Sequence, residues 1–353
     1  MRKIGKIGFS PYKHKANLFV SLSESAIEEA GYDVCNGSMK NIFGYDCVIL
    51  NWFETLPKNK AERIKNYIAK RIFLSLCKIK GIKVVAIFHN RKPHGAVNDK
   101  LQSKMITKLF ESVDKIIILS KQSVEYLGEL SANPLKQKCF YIPHPNYIGA
   151  YGPLVTEQEQ IESKMKLLFF GGISPYKNIE LIIEVARKLK NKKIEFWIVG
   201  KPESIEYRSE LEKLSAGLGN VVCKFGFVND EDIPRYMNMC DALILPYDES
   251  TLNSGTVLLA FSYQRTVICP KIAMVEDFEN EDMYIYDYTS EDGQLYSLLN
   301  KVECAYMDFI KDRYSLKRKG ENLFLYTQDK CGISTISKLY KELFEDLERT
   351  SEE

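Results

Sequence analysis

The 353-residue chain has no long apolar run. None reaches the roughly 18 uninterrupted apolar residues of a membrane-spanning helix, so the expectation is a soluble chain or one resting on a membrane surface. Met1-Arg2-Lys3 leads straight into a short strand-like run with no apolar stretch of signal-peptide length. A cytoplasmic location is therefore expected, with a peripheral place at the inner face of the membrane as the extension of that reading. The formal net charge is only +2, which gives no ground for a nucleic-acid partner. Nine cysteines (Cys35, Cys47, Cys77, Cys139, Cys223, Cys240, Cys269, Cys304 and Cys331) make an odd number with no C-x-x-C spacing. They are read as reduced core residues, not as a disulfide frame or a zinc site. No fixed-period repeat and no low-complexity tract occurs.

What the chain does have is alternation. Apolar runs at Ile4–Phe9, Tyr32–Cys35, Asp46–Leu50, Ile82–Phe88, Lys115–Leu119 and Cys139–Ile142 fill the first half. Six more follow at Lys166–Phe170, Ile194–Val199, Val221–Phe225, Ala242–Leu245, Thr266–Cys269 and Met283–Tyr286. Continuous runs of this length fit strands buried on both faces of a parallel sheet. The segments between them carry helical periodicity; in Asn178–Lys190, Ile179, Ile182, Ile183, Ala186 and Leu189 share one face. Strand–helix alternation predicts an α/β fold of βαβ units, and the length predicts two domains. The polar stretch Gly149–Ser163 is the expected linker, which sets domains at 1–150 and 160–333. Helical patterns close the chain at Gln294–Ile310 and Ser334–Leu347.

In open α/β sheets ligands bind beyond the carboxyl ends of strands. Five such loops carry chemistry. Phe170-Gly171-Gly172-Ile173-Ser174-Pro175-Tyr176-Lys177 joins a strand to a helix starting near Asn178. Its glycines let a phosphate approach the backbone, and the helix N-terminus and Lys177 supply positive charge; an ordinary turn with a solvated lysine is the alternative. In the loop 246–256, Ser254, Gly255 and Thr256 can present successive N–H groups to an anion, and Asp248 and Glu249 can meet sugar hydroxyls, with Asn253 a further expected donor-binding residue; a plain helix cap is the alternative. His89-Asn90-Arg91-Lys92-Pro93-His94 follows a buried strand and is read as a site, though not as a zinc site, because its histidines are five apart around a proline with no acid or cysteine nearby. In Asn51-Trp52-Phe53-Glu54, Trp52 can stack on a sugar ring or sit in the core, and Glu54 can act as a base. Ser10-Pro11-Tyr12-Lys13-His14 follows the first strand without a G-x-G-x-x-G, which argues against a dinucleotide cofactor.

One stretch is electrically lopsided. Lys58–Lys83 holds nine cations against a single acid, Glu62, in a nearly neutral chain. A basic amphipathic helix can lie on an anionic membrane surface, and a solvated helix face is the other reading.

At the Gly171-Gly172…Lys177-Asn178-Ile179-Glu180 loop, and at Val199-Gly200, Phe225-Gly226-Phe227-Val228, Glu231-Asp232-Ile233, Cys240-Asp241-Ala242 and Leu245-Pro246-Tyr247, the sequence resembles bacterial GT-B glycosyltransferases over nearly its whole length. It looks closest to the capsule and exopolysaccharide subgroup that includes xanthan mannosyltransferase-like enzymes. Trp52-Phe53-Glu54, His89-Asn90…Pro93-His94 and Ser254-Gly255 carry that likeness. The resemblance implies two Rossmann-like doubly wound domains facing across a cleft, with the segment 334–353 crossing back to an acceptor-binding N-terminal domain. The C-terminal domain would bind the nucleotide sugar. Lys177 would contact the donor diphosphate, Gly171 and Gly172 would admit it, and Ser254, Gly255 and Thr256 would hold it. Phe227 and Val228 would border the base, and His89 would face the donor sugar. Tyr12, Trp52 and His94 are the expected acceptor contacts. Many members carry Arg where this chain has Gly172, and a pair of glutamates where it has Thr251 and Leu259, so Glu249 or Asp248 must make the sugar contacts here.

The function so implied is metal-independent hexosyl transfer, with no cofactor, from a UDP- or GDP-sugar to a saccharide acceptor, expected to be lipid-linked, in capsule or exopolysaccharide synthesis. His89, Glu54 and Glu249 are the expected catalytic residues. A sugar-nucleotide 2-epimerase and a non-catalytic partner subunit of the same fold are the alternatives. The four histidines (His14, His89, His94 and His144) all precede the linker, which weighs against the epimerase.

Overall fold

The computed structural model describes residues 3–14, 17–91, 100–128, 135–154, 164–278, 281–288 and 293–349. The chain divides into two units: Met1–Pro145 with Lys330–Glu353, and Asn146–Asp329.

The first unit runs β1 (Lys6–Ser10), α1 (Leu18–Glu29), β2 (Asp33–Asn36), β3 (Cys47–Asn51), α2 (Lys60–Lys80), β4 (Lys83–Phe88), α3 (Lys100–Ser112), β5 (Lys115–Ile118), α4 (Ser123–Gly128) and β6 (Cys139–Tyr141). Its strands form one parallel sheet in the order β2-β1-β3-β4-β5-β6. β3 is buried at all five residues, as an apolar run must be with sheet on both sides and helices above and below.

The second unit runs β7 (Met165–Phe170), α5 (Ile179–Lys188), β8 (Ile194–Gly200), α6 (Ile205–Ser215), β9 (Val221–Phe225), α7 (Ile233–Met239), β10 (Ala242–Ile244), α8 (Gly255–Ser262), β11 (Thr266–Pro270), α9 (Ala273–Glu276), β12 (Tyr284–Tyr286), α10 (Gly293–Lys311) and α11 (Ser315–Cys331). Its sheet is also parallel, in the order β12-β11-β10-β7-β8-β9. Counted from β7, this is the doubly wound nucleotide-binding order, whose direction reverses between β7 and β10. In the first sheet the reversal lies between β1 and β3.

The last helix, α12 (Ile333–Arg349), belongs to the first unit. Ile336, Tyr340, Leu343, Phe344 and Leu347 join the core that also holds Phe19, Ile27 and Ile49. Each such side chain stabilises by about 1.5–3 kcal/mol on burial, so α12 is part of the core rather than an attached tail. Glu348 adds a carboxylate contact to the N–H of Ile4 at 2.7 Å.

The division between the units falls before the polar stretch Gly149–Ser163. Asn146 Nδ2 donates to the Thr327 carbonyl at 3.0 Å, and the N–H of Tyr147 donates to Ser262 Oγ at 2.9 Å. These buried bonds tie 146–152 into the second unit. The cysteines are free, but Cys304 is exposed on α10 and so is not a core residue.

Candidate active site

Two loops meet at the reversal point of the second sheet. The one after β7 opens with Gly171, at φ +122°, a conformation that side chains rarely tolerate. A short 3-10 turn, Pro175–Lys177, and a left-handed Asn178 then set the start of α5. The loop after β10 is bound to it through the backbone, where the N–H of Asp248 donates to the Tyr176 carbonyl at 3.0 Å. Tyr288 Oη donates to the carbonyls of Tyr247 and Asp248 at 3.0 and 2.8 Å, and Gln294 Nε2 donates to that of Tyr247 at 3.0 Å. No local pattern marks these two supports, because both lie 40 or more residues downstream.

The groups so held converge. A Cβ placed on Gly171 would stand 3.7 Å from Lys177 Nζ and 3.8 Å from Thr256 Oγ1. Lys177 Nζ has no carboxylate or hydrogen-bond acceptor among the described residues. It lies 5.7 and 5.8 Å from the ring centres of Phe169 and Tyr176. Burial with no compensating anion pulls its ammonium down to about 8. The helix α8 points its N-terminus at the same place. Ser254 caps it, accepting from the N–H of Val257 at 3.3 Å, while Tyr247 Oη bonds Ser254 Oγ at 2.8 Å inside the protein. The N–H of Ser254 is taken by Met274 Sδ at 3.3 Å. That leaves the N–H groups of Gly255 and Thr256, two rather than three, without a partner among the described residues. An uncompensated ammonium beside open helix N–H groups is an arrangement that can hold an anion.

The other residues expected here divide. Asp248 Oδ1 accepts from the N–H and Oγ of Ser250 at 2.9 and 2.6 Å, so this carboxylate shapes its own loop. Glu249 is exposed, and Asn253 is half-buried beside the Ser254 cap. Gly172 is exposed, and a Cβ there would meet nothing within 4 Å. Phe227 stands 77% exposed just beyond β9, with Val228 half-buried beside it. Thr251 and Leu259 are both buried, which takes them out of any ligand contact without rearrangement.

A second cluster occupies the reversal point of the first sheet. Asn51 Nδ2 donates to the Ser10 carbonyl at 3.3 Å, which joins the ends of β1 and β3. Asn51 Oδ1 lies 3.1 Å from His89 Nε2, so His89 donates there. Trp52 adopts a left-handed backbone at φ +50° and stacks on His89 with ring centres 4.5 Å apart at 21°. Phe19 meets both rings and also His144. A left-handed tryptophan costs on the order of 1 kcal/mol or more, and such strain persists where surrounding contacts fix it. Tyr12 packs half-buried against the same core, with Lys13 Nζ 5.2 Å over its ring. His94 lies outside the described residues.

Glu54 follows in a clamped segment. Lys70 Nζ, on α2, donates to the carbonyls of Phe53 and Thr55 at 2.6 and 2.7 Å, and Gln102 Nε2 donates to the Glu54 carbonyl at 2.7 Å. Burial raises the Glu54 carboxyl above its usual range, against the opposing pull of its own N–H and of Lys70. A carboxyl so shifted holds a proton more readily than a free one.

Two parallel doubly wound units, with the last helix packed on the first, define the class: this is the GT-B glycosyltransferase fold. Residues 155–269 match the family Glycosyl transferases group 1. Among curated proteins the chain is similar to two GDP-mannose:glycolipid 4-beta-D-mannosyltransferases of Xanthomonas campestris pv. campestris. Each is 25% identical over 268 residues, 74% of this chain and 72% of the relative. Among solved structures it is similar in fold to Anabaena HepE in complex with UDP and glucose (TM-score 0.70, 14% identity, 97% of this chain and 100% of that one). It is similar in fold also to a sucrose-phosphate synthase from Thermosynechococcus elongatus (TM-score 0.72, 14% identity, 99% and 100%).

Proposed function

We propose that this chain is a glycosyltransferase that moves a hexosyl group from a nucleoside-diphosphate sugar to a lipid-linked saccharide, in capsule or exopolysaccharide synthesis. The observation that carries this is Lys177, an ammonium withdrawn from water with no anion beside it among the described residues. In the reaction the bond between the anomeric carbon and the diphosphate oxygen breaks, and a bond to an acceptor hydroxyl oxygen forms. The negative charge that develops on the leaving diphosphate falls on Lys177 and on the N–H groups of Gly255 and Thr256. These are fixed before the reaction and need no reorganisation, and they take the place of a metal ion. Gly171 and Gly172 leave the space, and Phe227 and Val228 border the base. The acceptor contacts are Tyr12, Trp52 and His94. The acceptor proton goes to Glu54, whose desolvated carboxylate binds it more readily than a free one, while His89 faces the donor sugar. Glu249, exposed beside the anion site, contacts sugar hydroxyls together with Asn253.

The names of the curated relatives support GDP-mannose as the first donor and a glycolipid as the first acceptor to try. The test is transfer from GDP-mannose, and in parallel from UDP-sugars, to an extracted lipid-linked saccharide in the presence of EDTA. Turnover that Lys177→Ala reduces by about a hundredfold or more supports the reading, that being the usual cost of deleting one such charge-stabilising group. Turnover unchanged in Lys177→Ala sinks it.

A further inference from the structure

The helix α2 has two apolar sides, and only one of them is covered. Arg63, Phe73, Leu74 and Cys77 are buried against the first unit. At 3.6 residues per turn, Ile64, Ile68, Ile72 and Ile79 fall within about 80° of arc on the opposite side. They are 48, 51, 48 and 77% exposed. Lys60, Arg71 and Lys78 flank this stripe on one edge, and Lys65 and Lys80 on the other, all exposed. Beyond the C-terminal end, Phe43 is 80% exposed with Lys80 Nζ 4.7 Å over its ring, which extends the apolar strip past the helix. The helix itself is firmly ended, by the Asn59 side chain at its start and by left-handed Gly81 at its finish.

A merely solvated face would carry polar residues at these positions. Four isoleucines in one line, bordered by cations and with Glu62 the helix's one acid, have a different partner. A second copy of the chain fits poorly, because stripe against stripe would press two sets of five cations together. An anionic lipid surface satisfies both features, the isoleucines entering the acyl boundary and the cations meeting headgroups. No helix among the described residues is long and apolar enough to cross a membrane, so the contact lies in the plane of the surface.

We propose that the Ile64–Ile79 stripe of α2, with Phe43 and the flanking lysines and arginine, docks this protein onto an anionic membrane. The surface stands independently of the transfer reaction, and it would bring the acceptor residues of the same unit to a lipid-linked substrate.

The experiment is co-sedimentation of the full chain with vesicles of phosphatidylcholine alone, or of phosphatidylcholine mixed with phosphatidylglycerol, at low and high salt. Binding is expected on the anionic vesicles only, and it should weaken as salt rises. The exposed triple variant Ile64→Ser/Ile68→Ser/Ile72→Ser should lower partitioning by about tenfold or more with an unchanged thermal melt. Lys60→Gln/Lys65→Gln/Arg71→Gln should remove most of the salt dependence. Nucleotide binding should be untouched in both, which keeps this test separate from that of the donor site. The proposal is overturned if wild type ignores anionic vesicles, or if the isoleucine variant binds them as well as wild type. A concentration-dependent dimer in sedimentation, lost in the isoleucine variant and unaccompanied by vesicle binding, would assign the stripe to a second copy instead.

Discussion

Gly200 lies so close against Gly171 that a Cβ on Gly200 would stand 1.7 Å from the Gly171 carbonyl oxygen. The N–H of Gly171 donates to the Val199 carbonyl at 3.1 Å, and Gly200 itself sits at φ +147°. The ends of β7 and β8 are thus pressed together, and the loop after β7 takes its shape from that contact. Gly200→Ala should therefore destabilise the second unit by about 3 kcal/mol or more, since both the backbone conformation and the space forbid a side chain. Gly172→Ala, in open space, should cost about 1 kcal/mol or less. Chemical denaturation of the two variants compares them directly, and equal stabilities would contradict this reading of the loop.

Lys177 should be a burden on the ligand-free protein. Its folded pKa of about 8 lies below the ordinary 10.5, so the unfolded chain holds the proton more tightly. From this group alone, stability rises as pH climbs from about 8 towards 10.5 and is lowest below 8. Lys177→Met should then stabilise the empty protein near neutral pH by on the order of 1 kcal/mol, while weakening nucleotide binding. In wild type, nucleotide affinity should fall as pH rises through about 8, as the ammonium discharges. A melting series against pH and an affinity series against pH should slope in opposite directions.

How much of this could be read from the sequence varies with distance along the chain. All twelve strand runs appear as strands, to within two residues at most ends, because burial on both faces writes itself as continuous apolarity. The helix α11 is not legible in the sequence. Its sequence is polar and broken by Gly320, which is needed because a Cβ there would come 2.0 Å from the Gln264 carbonyl oxygen, a contact 56 residues away in sequence and so invisible locally. The geometry of the loops holding Gly171, Lys177 and the Ser254 cap is legible because those residues act locally. The support from Tyr288 and Gln294 is not, nor is the stacking of Trp52 on His89 across 37 positions. The bonds of Asp248 Oδ1 to Ser250 are not legible either, because an acid two residues before a serine makes them only when the turn places the two together.

His144 should make the first unit acid-sensitive. Burial lowers its imidazole to about 4 from the ordinary 6.5, so it stays neutral in the fold and takes a proton on unfolding. Stability from this group is complete above pH 6.5 and is lost as pH falls towards 4, by on the order of 2–3 kcal/mol. His144→Phe, which keeps a ring against Phe19, should flatten the stability profile over that range. An unchanged slope in the variant would place the acid sensitivity elsewhere.

Glu54→Gln keeps the shape of the clamped segment and removes the proposed proton acceptor. Turnover should fall by about a hundredfold or more with donor affinity unaltered, in the range expected for loss of a general base. Asn51→Ala should act indirectly by freeing the His89 ring, lowering turnover less, and its effect should grow when the wild-type Trp52 stacking is also removed. Initial-rate kinetics with saturating donor separate these outcomes; a Glu54→Gln variant with wild-type turnover would rule out its role as base.

The central claim is that Lys177 and the N-terminus of α8 hold the diphosphate of a nucleotide without a metal. The most direct measurement is calorimetric titration of GDP and of UDP, with EDTA present, into wild type and Lys177→Met. One nucleotide should bind the wild type, and its affinity should drop by about a hundredfold or more in the variant, the worth of a charge-assisted contact in a partly dry site. Equal binding to both proteins, or no binding of either nucleotide to the wild type, would contradict it.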